Sequence, residues 1–383
     1  MSVTAPRGFT AAGVAAGIKD SGGPDLALVV NEGPIRAAAG VFTTNRVQAA
    51  PVRWSREVLA RGRVRAVVLN SGGANACTGP GGAEDTRDTA GRAASALGCP
   101  ASEVAVCSTG LIGVRLPREA VLTGVDAAAA VLSRDGGEAA ARAVMTTDTV
   151  PKTAVAEGPG WRVGGMAKGA GMLAPGLATM LAVLTTDAEV SPGELDAALR
   201  EAVRLTFDRV DSDGCMSTND TVLLLASGAS GRVPEPGAFA AAVHRVCQDL
   251  ARQLVADAEG ASKEIAVEVV GAASEENAVL AARAVARSNL LKCALHGEDP
   301  NWGRVLSALG TTEADFDPDR VDVAVCGVWV CRDGAAGEPR EKADLTGRRL
   351  TVTVDLRAGD ASAVVWTNDL TAAYVHENSA YSS

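Results

Sequence analysis

A threonine that follows a small residue and opens a strand has the parts of a nucleophile. In this chain Ala178-Thr179 closes a glycine-rich stretch that carries one lysine, Trp161-Arg-Val-Gly-Gly-Met-Ala-Lys168-Gly-Ala-Gly-Met-Leu-Ala-Pro-Gly-Leu, and leads into the apolar run Met180 to Leu184. If the bond before Thr179 breaks through an N-to-O acyl shift, the threonine gains a free α-amine. That amine ordinarily titrates at about 7.7 to 8.0, so it can act as a general base at neutral pH. The chain offers no obvious alternative base. Its three histidines, His244, His296 and His376, have no metal-ligand spacing, and His244 falls in a helical pattern. A Ser-His-Asp or Cys-His arrangement is therefore not expected, and no metal site is written in the sequence.

Two further stretches could serve such a nucleophile. Cys107-Ser-Thr109-Gly110-Leu-Ile-Gly113 follows the apolar Val104 to Val106. A strand ending in Ser-Thr-Gly offers backbone N–H groups and a hydroxyl to a developing oxyanion, although the same tripeptide serves ordinary turns. Asn70-Ser-Gly-Gly-Ala-Asn-Ala-Cys-Thr-Gly79 is rich enough in glycine for close backbone approach. It is not a phosphate-binding loop, because no Gly-Lys-Ser/Thr follows. Positive charge is also placed selectively: 30 of the 36 basic residues are arginine, leaving six lysines, Lys19, Lys152, Lys168, Lys263, Lys292 and Lys342. Where arginine is the default, a remaining lysine suggests a need for a compact ammonium. Lys168, Lys263 and Lys292 all lie in segments unusual for other reasons.

These groups must be positioned by a mixed scaffold. Strands are expected at 26–30, 64–69, 265–270, 321–330, 350–356 and 363–366, where β-rich residues are bounded by turn residues. Ser191-Pro-Gly-Glu194 reads as a capping box opening a helix over 195–207. Further helices are expected over 239–255 and, capped by Ser274, over 275–286. This mixture favours an α+β or layered α/β sandwich. Aromatic residues make up only 3%, so alanine, valine and leucine must fill the core, and most of the eight scattered cysteines are expected to be buried thiols. A net charge of −10 without a basic cluster argues against nucleic acid and anionic membrane as partners. No apolar run approaches the roughly 20 residues that span a bilayer, and the N-terminal residues do not read as a signal peptide, so a cytoplasmic protein is expected.

The stretch Met166-Ala-Lys-Gly-Ala-Gly-Met-Leu-Ala-Pro-Gly-Leu-Ala-Thr-Met-Leu-Ala-Val-Leu-Thr-Thr-Asp-Ala188 resembles the cleavage region of the ornithine acetyltransferase family, also called the bifunctional glutamate N-acetyltransferases. Gly40-Val-Phe-Thr-Thr-Asn45, Asn70 to Gly79, Ser108-Thr-Gly110, Met145-Thr-Thr-Asp-Thr149, Ser217-Thr-Asn-Asp220, Ala258-Glu-Gly-Ala-Ser-Lys263, Asp299-Pro-Asn-Trp-Gly-Arg304 and the tail Tyr374 to Ser383 resemble further segments of that family, in its order. The resemblance implies a two-lobed sandwich of mixed β-sheets and helices, cut between Ala178 and Thr179. The pieces, an α chain of residues 1–178 and a β chain of residues 179–383, would stay together, two of each per assembly. It implies transfer of acetyl from N-acetylornithine to glutamate in arginine biosynthesis, without a cofactor, and possible use of acetyl-CoA as donor is left open. It makes Thr179 the nucleophile, Thr109 and Gly110 the oxyanion stabilisers, and Thr146, Lys168, Glu259, Asn378 and Ser383 the substrate contacts, with Thr147 an alternative to Thr146. Lys168 would meet the substrate carboxylate and Glu259 an ammonium. Asp299 and Arg304 are expected to fix a turn around Trp302. Cys215, Met216 and Ser383 depart from the residues the family pattern leads one to expect. The competing readings are a self-cleaving amidase or aminopeptidase that passes its acyl group to water, and a non-catalytic binder of acetylated amino acids.

Overall fold

Strands buried on both faces read as continuous apolar runs, whereas strands buried on one face alternate. Both kinds occur, and each dominates a different part of the molecule. The structure is a computed structural model that describes residues 2–174 and 180–380. Leu26–Asn31, Val104–Leu111, Leu181–Thr186 and Thr221–Ala226 are buried along nearly all their length. They belong to two sheets. One has four strands, Phe9–Val14, Leu26–Asn31, Ala66–Gly73 and Val104–Leu111 in spatial order. The other has five, ordered Ala37–Phe42, Thr221–Ala226, Leu181–Thr186, Trp161–Lys168 and Lys152–Gly158.

The two sheets face each other. Val29, Val67, Leu69 and Ala105 of the first pack in one cluster with Met166, Leu181, Val183 and Leu223 of the second. On the far side of the first sheet, Leu28, Val68 and Val106 meet helices Gly79–Leu97 and Arg118–Ala130 through Ala90, Ala93, Val121 and Val125. On the far side of the second, Leu184, Val222 and Leu224 meet helices Pro192–Leu205 and Pro236–Ala256 through Leu199, Val203, Val246 and Leu250. The result is a helix–sheet–sheet–helix sandwich. The remaining lobe is a six-stranded sheet whose longest strands, Glu264–Ala272, Arg349–Asp355 and Ala361–Asn368, alternate in burial. Its covered face packs on helices Glu275–Ala286, Asn289–His296 and Trp302–Leu309.

Local signals place the helices well. Ser191 and Glu194 form the expected capping box, and Ser274 accepts from the Asn277 N–H to open helix Glu275–Ala286. Two expectations need correction. Residues 321–330 are not one strand but a hairpin of Asp322–Val325 and Val328–Arg332, turned at Cys326 and Gly327 with φ of 48° and 82°. Consecutive positive φ values are what a tight two-residue hairpin demands, and only the second is a glycine. Nor are most cysteines buried: Cys107, Cys247 and Cys331 are, whereas Cys77, Cys215 and Cys293 are exposed and Cys99 and Cys326 intermediate. The exposed thiols sit in a left-handed turn, in a loop and on an outer helix face, outside the apolar periodicity.

Candidate active site

The oxyanion candidate stands at the end of a strand for a physical reason. Val104–Leu111 runs parallel to Ala66–Gly73, and their last residues pair as Ser71 with Thr109 and Gly72 with Gly110. Gly110 has φ of 127°, and a Cβ there would lie 2.5 Å from the Gly73 nitrogen, so the close approach of these two backbones requires glycine. Asn219 locks the corner by donating its side-chain N–H groups to Ala74 O at 2.6 Å and Ser108 O at 2.8 Å, while Ser108 Oγ donates to Asn70 Oδ1 at 2.6 Å. The two glycine-rich stretches are thus one construction, which holds Thr109 in a buried position.

Lys168 closes the strand Trp161–Lys168 and points its ammonium at the same corner, donating to Thr109 Oγ1 at 3.1 Å. Only 2% of Lys168 is exposed, yet it forms no ion pair among the described residues. Burial lowers its pKa, and Asp148, Asp220 and Glu259 partly offset that from a distance. A hydroxyl that accepts from an ammonium keeps its own proton to donate and donates it more strongly. Thr109 is therefore prepared as a hydrogen-bond donor.

Asp148 organises the other side of Lys168. Its Oδ1 accepts from the Gly169 N–H at 2.7 Å and from Lys152 Nζ at 2.6 Å, and its Oδ2 accepts from the Thr146 N–H at 3.0 Å. Burial alone would raise this carboxyl, but the Lys168 and Lys152 ammoniums and the Gly169 N–H outweigh it and hold the pKa down at about 2. Thr146 and Thr147 are both half-buried, and neither hydroxyl makes a hydrogen bond among the described residues.

Glu259 is joined to the Lys168 strand through the loop that follows it. Its N–H donates to Ala170 O at 2.9 Å, and a Cβ on Gly171 would fall 2.6 Å from its carboxylate. Asn378, on the C-terminal helix Ala372–Ala380, donates to Glu259 Oε2 at 3.0 Å. The structure thus brings Thr109, Gly110 and Lys168 together, and Glu259 with Asn378. Ala178, Thr179 and Ser383 lie outside the described residues. Both flanks of the expected cleavage segment are held by one stretch: Ser212 N–H donates to Leu173 O at 2.5 Å, Thr221 N–H to Met180 O at 3.1 Å, and Met180 N–H to Asp220 Oδ1 at 3.0 Å. Asp220 is fully buried, which pushes its carboxyl well above the usual range.

The sequence assigns no role to Asp148, Asn219 or Asp220, although all three stand in segments that resemble the family. A serine, a histidine and an aspartate do meet, at Ser262, His296 and Asp369. Both partners approach the same ring nitrogen, His296 Nδ1, and Ser262 Oγ donates to Asp369 itself. A nucleophile and its orienting acid need opposite nitrogens, so this cluster is structural. Among the described residues no group of acidic, histidine and cysteine side chains could hold a metal. The turn expected around Trp302 is made by Asn301, which accepts from the Arg304 N–H and donates to Asp299 Oδ2 at 2.9 Å, whereas the Arg304 guanidinium donates to Leu290 O instead.

Residues 10–383 match the ArgJ family. The chain is 69% identical over 383 residues to the arginine biosynthesis bifunctional protein ArgJ of Streptomyces coelicolor, covering all of both chains. It is 58% identical over 389 residues to the protein of the same description from Mycobacterium leprae, covering 100% of this chain and 96% of that one. Among solved structures it is similar to ornithine acetyltransferase of Mycobacterium tuberculosis complexed with ornithine, at 59% identity and a TM-score of 0.45, covering 47% of this chain and 96% of that one.

Proposed function

The chain belongs to the ArgJ family, and from that premise we propose how its residues carry out the reaction. It is an acetyltransferase of arginine biosynthesis, moving acetyl from N-acetylornithine to glutamate. The chain cuts itself between Ala178 and Thr179, and the freed α-amine of Thr179 takes the proton from its own hydroxyl. The hydroxyl oxygen attacks the acetyl carbonyl carbon, and the resulting oxyanion is held by the Thr109 hydroxyl and the Gly110 N–H. As the carbon–nitrogen bond breaks, the same amine returns its proton to the departing ornithine nitrogen. Glutamate then attacks acetyl-Thr179 through its own amine, and the steps run in reverse.

The observation that carries this reading is the Lys168–Thr109 hydrogen bond: a buried ammonium with no carboxylate partner among the described residues, set against a hydroxyl at the end of a strand. Its two remaining N–H groups suit the α-carboxylate common to both amino acids. Glu259 opposes the ammonium of ornithine, Thr146, Asn378 and Ser383 are further substrate contacts, and acetyl-CoA serves as a second donor. Two α and two β chains form the cytoplasmic assembly. Among the described residues no helix is long and apolar enough to cross a membrane.

Intact-mass analysis of purified protein tests the first step. Two pieces, residues 1–178 and 179–383, are expected, and Thr179→Ala should stay whole and inactive. Initial rates then test the second: parallel double-reciprocal lines are expected, with acetyl trapped on the second chain when glutamate is withheld. An active uncut chain, or acetate released as fast without glutamate as with it, overturns the reading.

A further inference from the structure

The two amino acids that must occupy one pocket in turn are identical around the α-carbon but end in opposite charges. Ornithine ends in an ammonium and glutamate in a carboxylate. A site lined by one sign of charge would favour one and repel the other.

Beside Glu259 lies a cavity of about 200 Å³ whose walls include Ser212, Asp213, Glu259, Lys292, Asp369 and Tyr374. That volume is below the roughly 300–1,000 Å³ of drug-sized ligand sites and suits one short side chain. Both signs of charge are present in it. Lys292, 5% exposed on helix Asn289–His296, donates to Ser212 O and to Thr367 Oγ1, and forms no ion pair among the described residues. An ammonium has three N–H groups, so one remains unused among the described residues. By contrast Lys263 is saturated, by Leu345 O, Thr346 O, Gly347 O and Glu298. Across the cavity Glu259 accepts from Asn378 with Oε2 only, which leaves Oε1 unused among the described residues. Asp213 accepts from the Cys215 N–H. Asp369 is occupied by Ser262, His296 and two backbone N–H groups. Burial lowers the Lys292 pKa and raises that of Asp213, which marks both as poorly solvated.

We infer that this cavity is a side-chain subsite for both substrates, in which Lys292 Nζ binds the side-chain carboxylate of glutamate while Glu259 and Asp213 oppose the side-chain ammonium of ornithine. The inference rests on the acetyl-transfer reading above, and Lys292 is its specificity-determining residue.

Two reactions of the full enzyme separate its parts. One is transfer of acetyl from N-acetylornithine to glutamate. The other is exchange of labelled ornithine into N-acetylornithine, which never requires glutamate. Lys292→Met should lower kcat/KM for glutamate roughly 30-fold or more, as expected on deleting one partner of a desolvated charge pair, and change the exchange less than about threefold. Lys292→Arg should recover part of the glutamate reaction. An equal loss in both reactions makes Lys292 merely structural and overturns the inference, as does no loss in either. A measurement without any variant applies should Lys292→Met not fold: the native enzyme should prefer glutamate over glutamine as acceptor by roughly 30-fold or more, and equal use of the two overturns the subsite. Absence of exchange in the native enzyme would instead sink the transfer reading itself.

Discussion

Lys152 and Lys168 stand on neighbouring antiparallel strands, and both are buried, yet their surroundings are opposite. Lys152 is neutralised twice, by Asp148 and Asp257, each at 2.6 Å. Lys168 meets one hydroxyl and no carboxylate among the described residues. Two carboxylates close around a cation that has only to hold strands and helix together. A cation left short of partners sits where something else is to arrive. Asp148 belongs to both: it bonds Lys152 directly and steadies Lys168 from a distance.

The contrast breaks first under charge removal. Lys152→Met leaves Asp148 and Asp257 buried without their cation, a loss of about 3–5 kcal/mol, and chemical denaturation should show it as a large fall in midpoint. Whatever fraction still folds should transfer acetyl at a near-normal rate. Lys168→Met should do the reverse, with a midpoint at or above that of the native chain and transfer lost by at least about 100-fold. Parallel losses of stability and activity in both variants would erase the distinction between them.

None of this contrast is legible along the chain. The scarcity of lysine marked both residues, but Asp257 lies 105 residues from Lys152 and Thr109 lies 59 from Lys168. Only the folded sheets bring these partners into reach. What was legible is local. A capping box at Ser191 or a cap at Ser274 is written within four residues, so both helix starts are found where expected. The hairpin at Cys326 was missed because a left-handed non-glycine residue leaves no mark in an apolar run. The oxyanion corner was half visible: glycine signalled close approach, but not that Gly110 and Gly73 approach each other.

A narrower break removes the acceptor of the Lys168 hydrogen bond. Thr109→Ala deletes one oxyanion donor, for which a loss of about 100- to 1,000-fold in kcat is expected, with KM and denaturation midpoint little changed. Self-cleavage passes through an oxyanion as well, so the cut should also slow. Normal turnover in this variant would remove Thr109 from the site.

Acid distinguishes the two lysines by a smaller effect. The Asp148 carboxyl is held down at about 2 in the folded chain, against an ordinary value near 3.9 when unfolded. A depressed carboxyl contributes stability that is fully present above its unfolded pKa and lost as pH falls through its folded one. Titrating from pH 5 to pH 2, the native chain should therefore lose stability from this group between about pH 4 and pH 2. Asp148→Asn should start less stable at neutral pH and lose less across that window. An unchanged acid profile in the variant would mean that other carboxylates set the transition.

The smallest effect decides between Thr146 and Thr147. The N–H of Thr146 donates to Asp148 Oδ2, so its backbone is tied to the carboxylate that steadies Lys168, whereas Thr147 makes no such bond among the described residues. Tied backbone fixes where a side chain can reach, and an untied neighbour gives no such advantage to a hydroxyl meant for substrate. One neutral hydrogen bond to substrate contributes about 0.5–1.5 kcal/mol, or up to roughly tenfold in binding. Thr146→Ala should raise KM for N-acetylornithine by a factor in that range with kcat nearly unchanged, and Thr147→Ala should leave both within about twofold. Thr146→Ser, which keeps the hydroxyl, should restore the native KM. A KM effect confined to Thr147→Ala would reverse the assignment, and would also show that the hydrogen bond to Asp148 positions Lys168 without positioning the substrate contact beside it.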